Sequence, residues 1–140
     1  MTHDEIDLLL SQLRAFHQRQ RTEQVTVEGL SATSMRVLGA IARHDGVQPS
    51  QLARELIMTT SNIAAALREL DGRGLVSRST DDEDSRRVIV DLTAEGRRVV
   101  AAVRESRNRW LQSAIAAGLT PEEQATLLAA GRVLARLAES

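Results

Sequence analysis

Residues Asp81 to Asp84 form an unbroken acidic run, and the arginine pair Arg86 and Arg87 follows one residue later. A guanidinium is a planar fork suited to phosphate oxygens and to the N7/O6 edge of guanine. An acidic tip alone would repel a polyanion. A carboxylate two residues before an arginine, as Asp84 stands before Arg86, can hold the guanidinium extended through a bidentate contact. An arginine held this way suits a narrow minor groove, where the negative potential is enhanced. Arg87 has two readings, a phosphate contact or a solvated side chain, and the whole run is equally compatible with a solvated charged loop.

A second group lies upstream, in Thr60 to Leu70. On a helical wheel Ile63, Ala66, Leu67 and Leu70 share one face, while Ser61, Ala65 and Arg68 lie opposite with Asn62 at the edge. Small side chains let a helix backbone sit deep in a major groove about 12 Å wide, and Arg68 has the reach for a phosphate or a guanine. Thr60, Ser61, Asn62, Ala65 and Arg68 are the candidate base-reading set. An ordinary two-helix corner with a polar outer face produces the same pattern.

These groups need elements to position them. Apolar residues at Ile6, Leu9, Leu10, Leu13 and Phe16 predict a first helix running to about Arg21, and the pattern breaks across Thr22 to Gly29. Ser31 is a suitable N-cap for a second helix with Met35, Leu38, Ile41 and Ala42 inward, stopped by Gly46 as a left-handed cap. Pro49 opens a third helix with Leu52, Ala53 and Leu56 inward. Thr59 or Thr60 caps the fourth, which Gly72 and Gly74 end. The two flanks of the acidic loop, "LVSRS" and "RVIVDL", are short and β-branched and predict a hairpin with Val88, Val90 and Leu92 inward. Thr93 caps a long helix closed by Gly118. Thr120, Pro121 and Glu123 carry the helix-start pattern of a final helix with Leu127, Leu128, Leu134 and Leu137 inward. The predicted order is helix, helix, helix–turn–helix, hairpin, helix, helix. A hairpin after a recognition helix is the wing of a winged helix. The apolar stripes of the terminal helices either pack within the chain or meet a symmetric partner, since helix–turn–helix readers commonly act as two-fold dimers.

Composition narrows the functions. The 140 residues suffice for one compact domain, with 42% apolar and 26% charged residues. No apolar run is long enough to span a bilayer and the acidic N-terminus does not read as a signal peptide, so a cytoplasmic location is expected. The absence of cysteine removes disulfides, thiolate zinc sites and thiol redox switches, and His3, His17 and His44 lack metal-ligand spacing. All 18 basic residues are arginine, in keeping either with GC-rich coding or with phosphate and guanine chemistry. With aromatic residues nearly absent, stacking platforms for single strands are not expected. No phosphate loop, nucleophile elbow or paired zinc ligands occur, so neither an enzyme nor a cofactor is expected.

The stretch Asp81 to Gly96 closely resembles the wing signature of the MarR family of bacterial transcriptional regulators, roughly D-x-x-D-x-R-x-x-x-x-x-L-T-x-x-G. Asp81, Asp84, Arg86, Leu92, Thr93 and Gly96 fill it. Leu70, Gly74, Leu75, Val76 and Arg78 are similar to the pattern with which the family's helix–turn–helix ends. The helix order extends the resemblance over nearly the whole chain. It implies a mainly α, winged helix-turn-helix fold with a small β-hairpin (α+β): a single domain over 1–140, a DNA-binding lobe over 31–92 and dimerisation helices at 4–21 and 93–138.

It also implies a homodimer on a palindromic double-stranded operator. The helix from Thr60 would read the major groove and Arg86, aided by Asp84, the flanking minor groove. The regulator would be a repressor of nearby genes, relieved when a small anionic or phenolic effector binds between dimer region and DNA-binding lobe. Asp82 stands where the family often has proline, which makes the tip more acidic. Without cysteine the family's peroxide switch is ruled out, and with few aromatics an effector pocket would be mostly aliphatic. An alternative function, a small-molecule or partner-binding module with weak or no DNA binding, is motivated by the net charge of −1.

Overall fold

The structure is a computed structural model that describes residues 1–23 and 27–140. The predicted break across Thr22 to Gly29 lies partly outside these residues. The elements follow the predicted order: α1 (His3–Thr22), α2 (Ala32–Ala42), α3 (Pro49–Leu56), α4 (Thr60–Gly72), β1 (Val76–Thr80), β2 (Val88–Leu92), α5 (Ala94–Gly118) and α6 (Pro121–Ala138). The fold is mainly α with a two-stranded antiparallel hairpin. By contacts, the chain divides into Val25–Arg104 and a second unit joining Met1–Gln24 to Glu105–Ser140.

In Val25–Arg104 the helix starts obey capping chemistry. The Ser34 N–H donates to Ser31 Oγ at 3.1 Å to open α2, and the Asn62 N–H to Thr59 Oγ1 at 3.1 Å to open α4. Thr59, rather than Thr60, is therefore the cap. At the end of α4, Leu75 N–H donates to Leu70 O at 3.0 Å and Gly74 N–H to Asp71 O at 2.9 Å. This paired closure needs a left-handed residue, which Gly74 supplies at φ 70°. Gly46 differs from its expected role. Its φ is 81°, but α2 has already ended at Arg43, and Gly46 instead turns the chain into Val47.

The buried core of the described residues belongs to this unit. Val37, Leu38 and Ile41 of α2, Leu52 of α3, and Ile63, Leu67 and Leu70 of α4 close on Val47, Val90 and Leu92. Val37 and Ala40 of α2 are also buried, while Met35 and Ala42, expected inward, are only half-buried. Burying the larger side chains contributes roughly 1.5–3 kcal/mol each, before the entropy of ordering them. Val47 forms a β-bridge with Val90: the Val47 N–H donates to Val90 O at 3.0 Å, and Val47 O accepts from the Val90 N–H at 2.8 Å. One residue of extended chain thus covers the outer edge of β2.

In the other unit, α1 and α6 bury no residue completely. The final helix starts as expected: Glu123 N–H donates to Thr120 Oγ1 at 3.2 Å and Thr120 N–H to Glu123 Oε2 at 2.8 Å. The expected inward leucines of α6 are not inward in the single chain. Leu134 is half-buried, whereas Leu127, Leu128 and Leu137 are exposed. Phe16 and Trp110 pack at a ring separation of 6.1 Å, a tilted aromatic pair between α1 and α5.

Candidate nucleic-acid interface

Two helices of limited length, α3 and α4, make the helix–turn–helix. Ile57 ends α3 in the left-handed region at φ 52°, with Met58 N–H donating to Ala53 O at 2.9 Å. The turn is tight because only Met58 and the Thr59 cap separate Ile57 from α4. With Ile63, Ala66, Leu67 and Leu70 turned into the core, the remaining face is fixed by the 3.6-residue period. Thr60, Ser61, Asn62, Ala65 and Arg68 are all exposed, so the candidate base-reading set shares the surface of one helix. It offers hydroxyl, amide and guanidinium groups, with a methyl group between them.

The wing is built by the register Val76↔Leu92, Arg78↔Val90 and Thr80↔Val88. Alternation puts those six residues on one face. Val76, Val90 and Leu92 are core, but Val88 is 38% exposed, because the hairpin has run past the core by that point. Residues 81–87 form the loop, closed by Asp81 N–H to Arg87 O at 2.9 Å and Arg87 N–H to Asp84 O at 3.0 Å.

Asp84 organises this tip. Its Oδ1 accepts from the Arg86 backbone N–H at 3.0 Å and from Arg86 Nε at 3.2 Å, and its Oδ2 lies 3.5 Å from the Arg86 terminal nitrogen. Arg87 Nε is 3.6 Å from Oδ2, so both arginines share one carboxylate. Arg86 remains 90% exposed along its side chain. Its charge is therefore steered, not buried. Exposed ion pairs contribute at most about 1 kcal/mol of stability, so this contact acts on orientation more than on folding. Asp82 and Glu83 are exposed, and the Glu83 N–H donates to Asp81 Oδ1 at 3.1 Å.

The wing is joined to the lobe through the Leu92-Thr93-Gly96 pattern. Leu92 is core. Thr93 donates its hydroxyl to Gly74 O at 2.6 Å and its N–H to Leu75 O at 3.1 Å, and its Oγ1 accepts from Gly96 N–H at 3.0 Å as the cap of α5. A Cβ on Gly96 would overlap the Leu75 carbonyl. The chemistry of the pattern is thus close backbone approach at the start of α5.

Two carboxylates tie α4 and α3 to the two ends of α2. Glu69 of α4 accepts from Ser34 Oγ at 2.6 Å, Ser31 N–H at 3.0 Å and Ser31 Oγ at 3.2 Å. The Ser34 hydroxyl and the Ser31 amide hold its carboxyl below the usual value. Glu55 of α3 meets His44 Nε2 at 2.7 Å and Arg43 at 2.9 Å, and these two, the histidine first, lower it as well. Neither clamp, nor the Val47 bridge, was anticipated from the sequence. Their partners are 11 to 43 residues apart, and short-range periodicity carries no signal over such distances. No cluster of metal-ligating side chains occurs among the described residues.

Comparison with known proteins gives the same architecture. The MarR family model matches residues 28–87. Transcriptional regulator HosA of Escherichia coli is 38% identical over 96 residues, covering 64% of this chain and 71% of that protein. A putative transcriptional regulator from Pseudomonas aeruginosa PA01 superposes with a TM-score of 0.86 at 38% identity, covering 100% of this chain and 99% of the other. Streptococcus pneumoniae FabT, solved in complex with DNA, shares the fold with a TM-score of 0.72 at 24% identity, covering 99% and 98% of the two chains. With its wing, its helix–turn–helix and these relatives, the chain belongs to the MarR family of transcriptional regulators.

Proposed function

We propose that this regulator acts as a homodimer on a palindromic double-stranded operator and represses nearby genes until a small-molecule effector relieves it. Residues 31–92 serve as the DNA-binding lobe, and the helices at 4–21 and 93–138 as the dimerisation region. In each lobe α4 enters the major groove with Thr60, Ser61, Asn62, Ala65 and Arg68 toward the base edges. Arg86, aimed by Asp84, enters the adjacent minor groove, and Arg87 meets a phosphate. Half-sites lie about one helical turn, or roughly 10 base pairs, apart. The role is binding, not catalysis, in the cytoplasm.

The observation that carries this reading is Arg86, held by Asp84 yet 90% exposed. A folded chain gains little from so exposed a charge, whereas a nucleic acid gains a positioned cation. The test is a gel shift on the DNA upstream of the chain's own gene, followed by selection of bound genomic fragments. A specific shift that Arg86→Ala weakens supports the reading, and selected sites with two-fold symmetry support the dimer. Screening anionic and phenolic compounds for loss of the shift tests the effector.

A second reading has one observation in its favour. Residues Ser31 to Arg98 contain ten arginines against ten acids, so the lobe lacks the basic excess common in DNA binders. A partner-binding module without DNA affinity would give no specific shift even at low salt.

A further inference from the structure

Ile57 is poorly explained by the fold. Its backbone lies at φ 52°, ψ 55°, the left-handed region in which a β-branched residue is an outlier. Glycine is the usual residue at this place in a helix cap. Here it would make the same backbone bonds, Ile57 N–H to Arg54 O at 3.4 Å and Met58 N–H to Ala53 O at 2.9 Å, without the strain. The side chain gives nothing back through packing, since Ile57 is 93% exposed, more than any other large apolar residue among the described residues. A lone exposed isoleucine is ordinary on a protein surface, but one that also strains the backbone is not.

Its location gives it a use. Two residues separate Ile57 from Thr60, so at most about 10 Å of chain lies between it and the first turn of α4. In a helix–turn–helix the N-terminal residues of the second helix are the ones that meet base edges. We propose that Ile57 is an apolar DNA contact, seated on a thymine C5-methyl or a deoxyribose at the rim of the groove that α4 enters. The proposal rests on the DNA-binding reading above. It adds a large apolar side chain to a set otherwise made of small or polar side chains and one arginine.

The strain makes the test two-sided. Ile57→Gly relieves the left-handed conformation, so the melting temperature should rise, while specific operator affinity in fluorescence anisotropy should fall about tenfold, or ~1.4 kcal/mol. The slope of affinity against salt should not change, because no phosphate contact is lost. Ile57→Leu should restore affinity. An operator with deoxyuridine for thymine then identifies the source. Wild-type affinity drops toward that of Ile57→Gly if the methyl is the contact, and holds if the sugar is. Unchanged affinity in Ile57→Gly, with wild-type protein binding normally, overturns the contact and leaves the regulator reading standing. Absence of specific binding by the wild type overturns that reading and the contact with it.

Discussion

In the proposed complex, Arg86 would supply a cation to DNA and Asp84, which contacts its guanidinium, would aim it. Removing the cation deletes the contact, whereas removing the aspartate leaves two cations untethered. Arg86→Ala should therefore weaken operator binding by about tenfold or more, within the 1–3 kcal/mol expected for a lost arginine contact to DNA, with no change in melting temperature. Asp84→Ala should lose less, even though it also frees Arg87 and removes the acceptor of the Arg86 N–H. Asp84→Asn keeps an acceptor without the charge and should fall between Asp84→Ala and wild type. Anisotropy titrations at one fixed salt concentration rank the three, and the aiming role is wrong if either aspartate change equals the arginine change. At Arg68 the salt slope separates two contacts. Arg68→Ala lowers the slope by about 0.9 if the partner is a phosphate, and relaxes one base position if it is guanine.

At the scale of elements, the joints carry more of the fold than the interface does. Gly96→Ala would push a Cβ into the Leu75 carbonyl, so thermal unfolding should show a loss of about 1–3 kcal/mol, the usual cost of overpacking. A melting temperature equal to wild type would mean that the approach of α5 to Leu75 is not tight. Glu69 ties α4 to the start of α2, and its carboxyl titrates below the ordinary value near 4.5. A carboxyl lowered by folding stabilises the fold above its unfolded value and loses that contribution as pH falls through the folded one. Glu69→Gln should thus be less stable than wild type at neutral pH, with the gap closing below pH 4.5. Urea unfolding at several pH values reads the gap, and a constant gap would deny the titration.

The same joints mark the limit of what the sequence discloses. Helix order, the Ser31 and Thr120 caps, the buried face of α4 and the Asp84–Arg86 pairing were all legible, because each is set by residues within about one turn of each other. Glu69 with Ser34, Glu55 with His44, and Val47 with Val90 were not, because tertiary packing alone brings them together. Ile57 was hidden for a different reason. Nothing in its residue type announces a left-handed conformation.

For the whole molecule, exposed leucines make the strongest argument about assembly. In the unit formed by Met1–Gln24 and Glu105–Ser140, Leu128 is 69% and Leu137 62% exposed, and Ile6, Leu10 and Phe16 of α1 are also exposed. Large apolar side chains exposed together on the helices of one unit are the kind of surface a partner covers. If a second copy covers it, sedimentation should give twice the 15.3 kDa of one chain. Obligate interfaces of this type bury about 2,000 Å² or more, so two buried charges should break one. Leu128→Glu combined with Leu137→Glu should yield a monomer whose winged lobe stays folded, because the core of Val37 to Leu92 contains neither residue. The monomer can engage only one half-site at a time. It should lose the linked second contact and with it most of the operator affinity. A double variant that stays dimeric removes α6 from the interface, and a monomer that binds the operator as tightly as wild type removes the two-fold reading altogether.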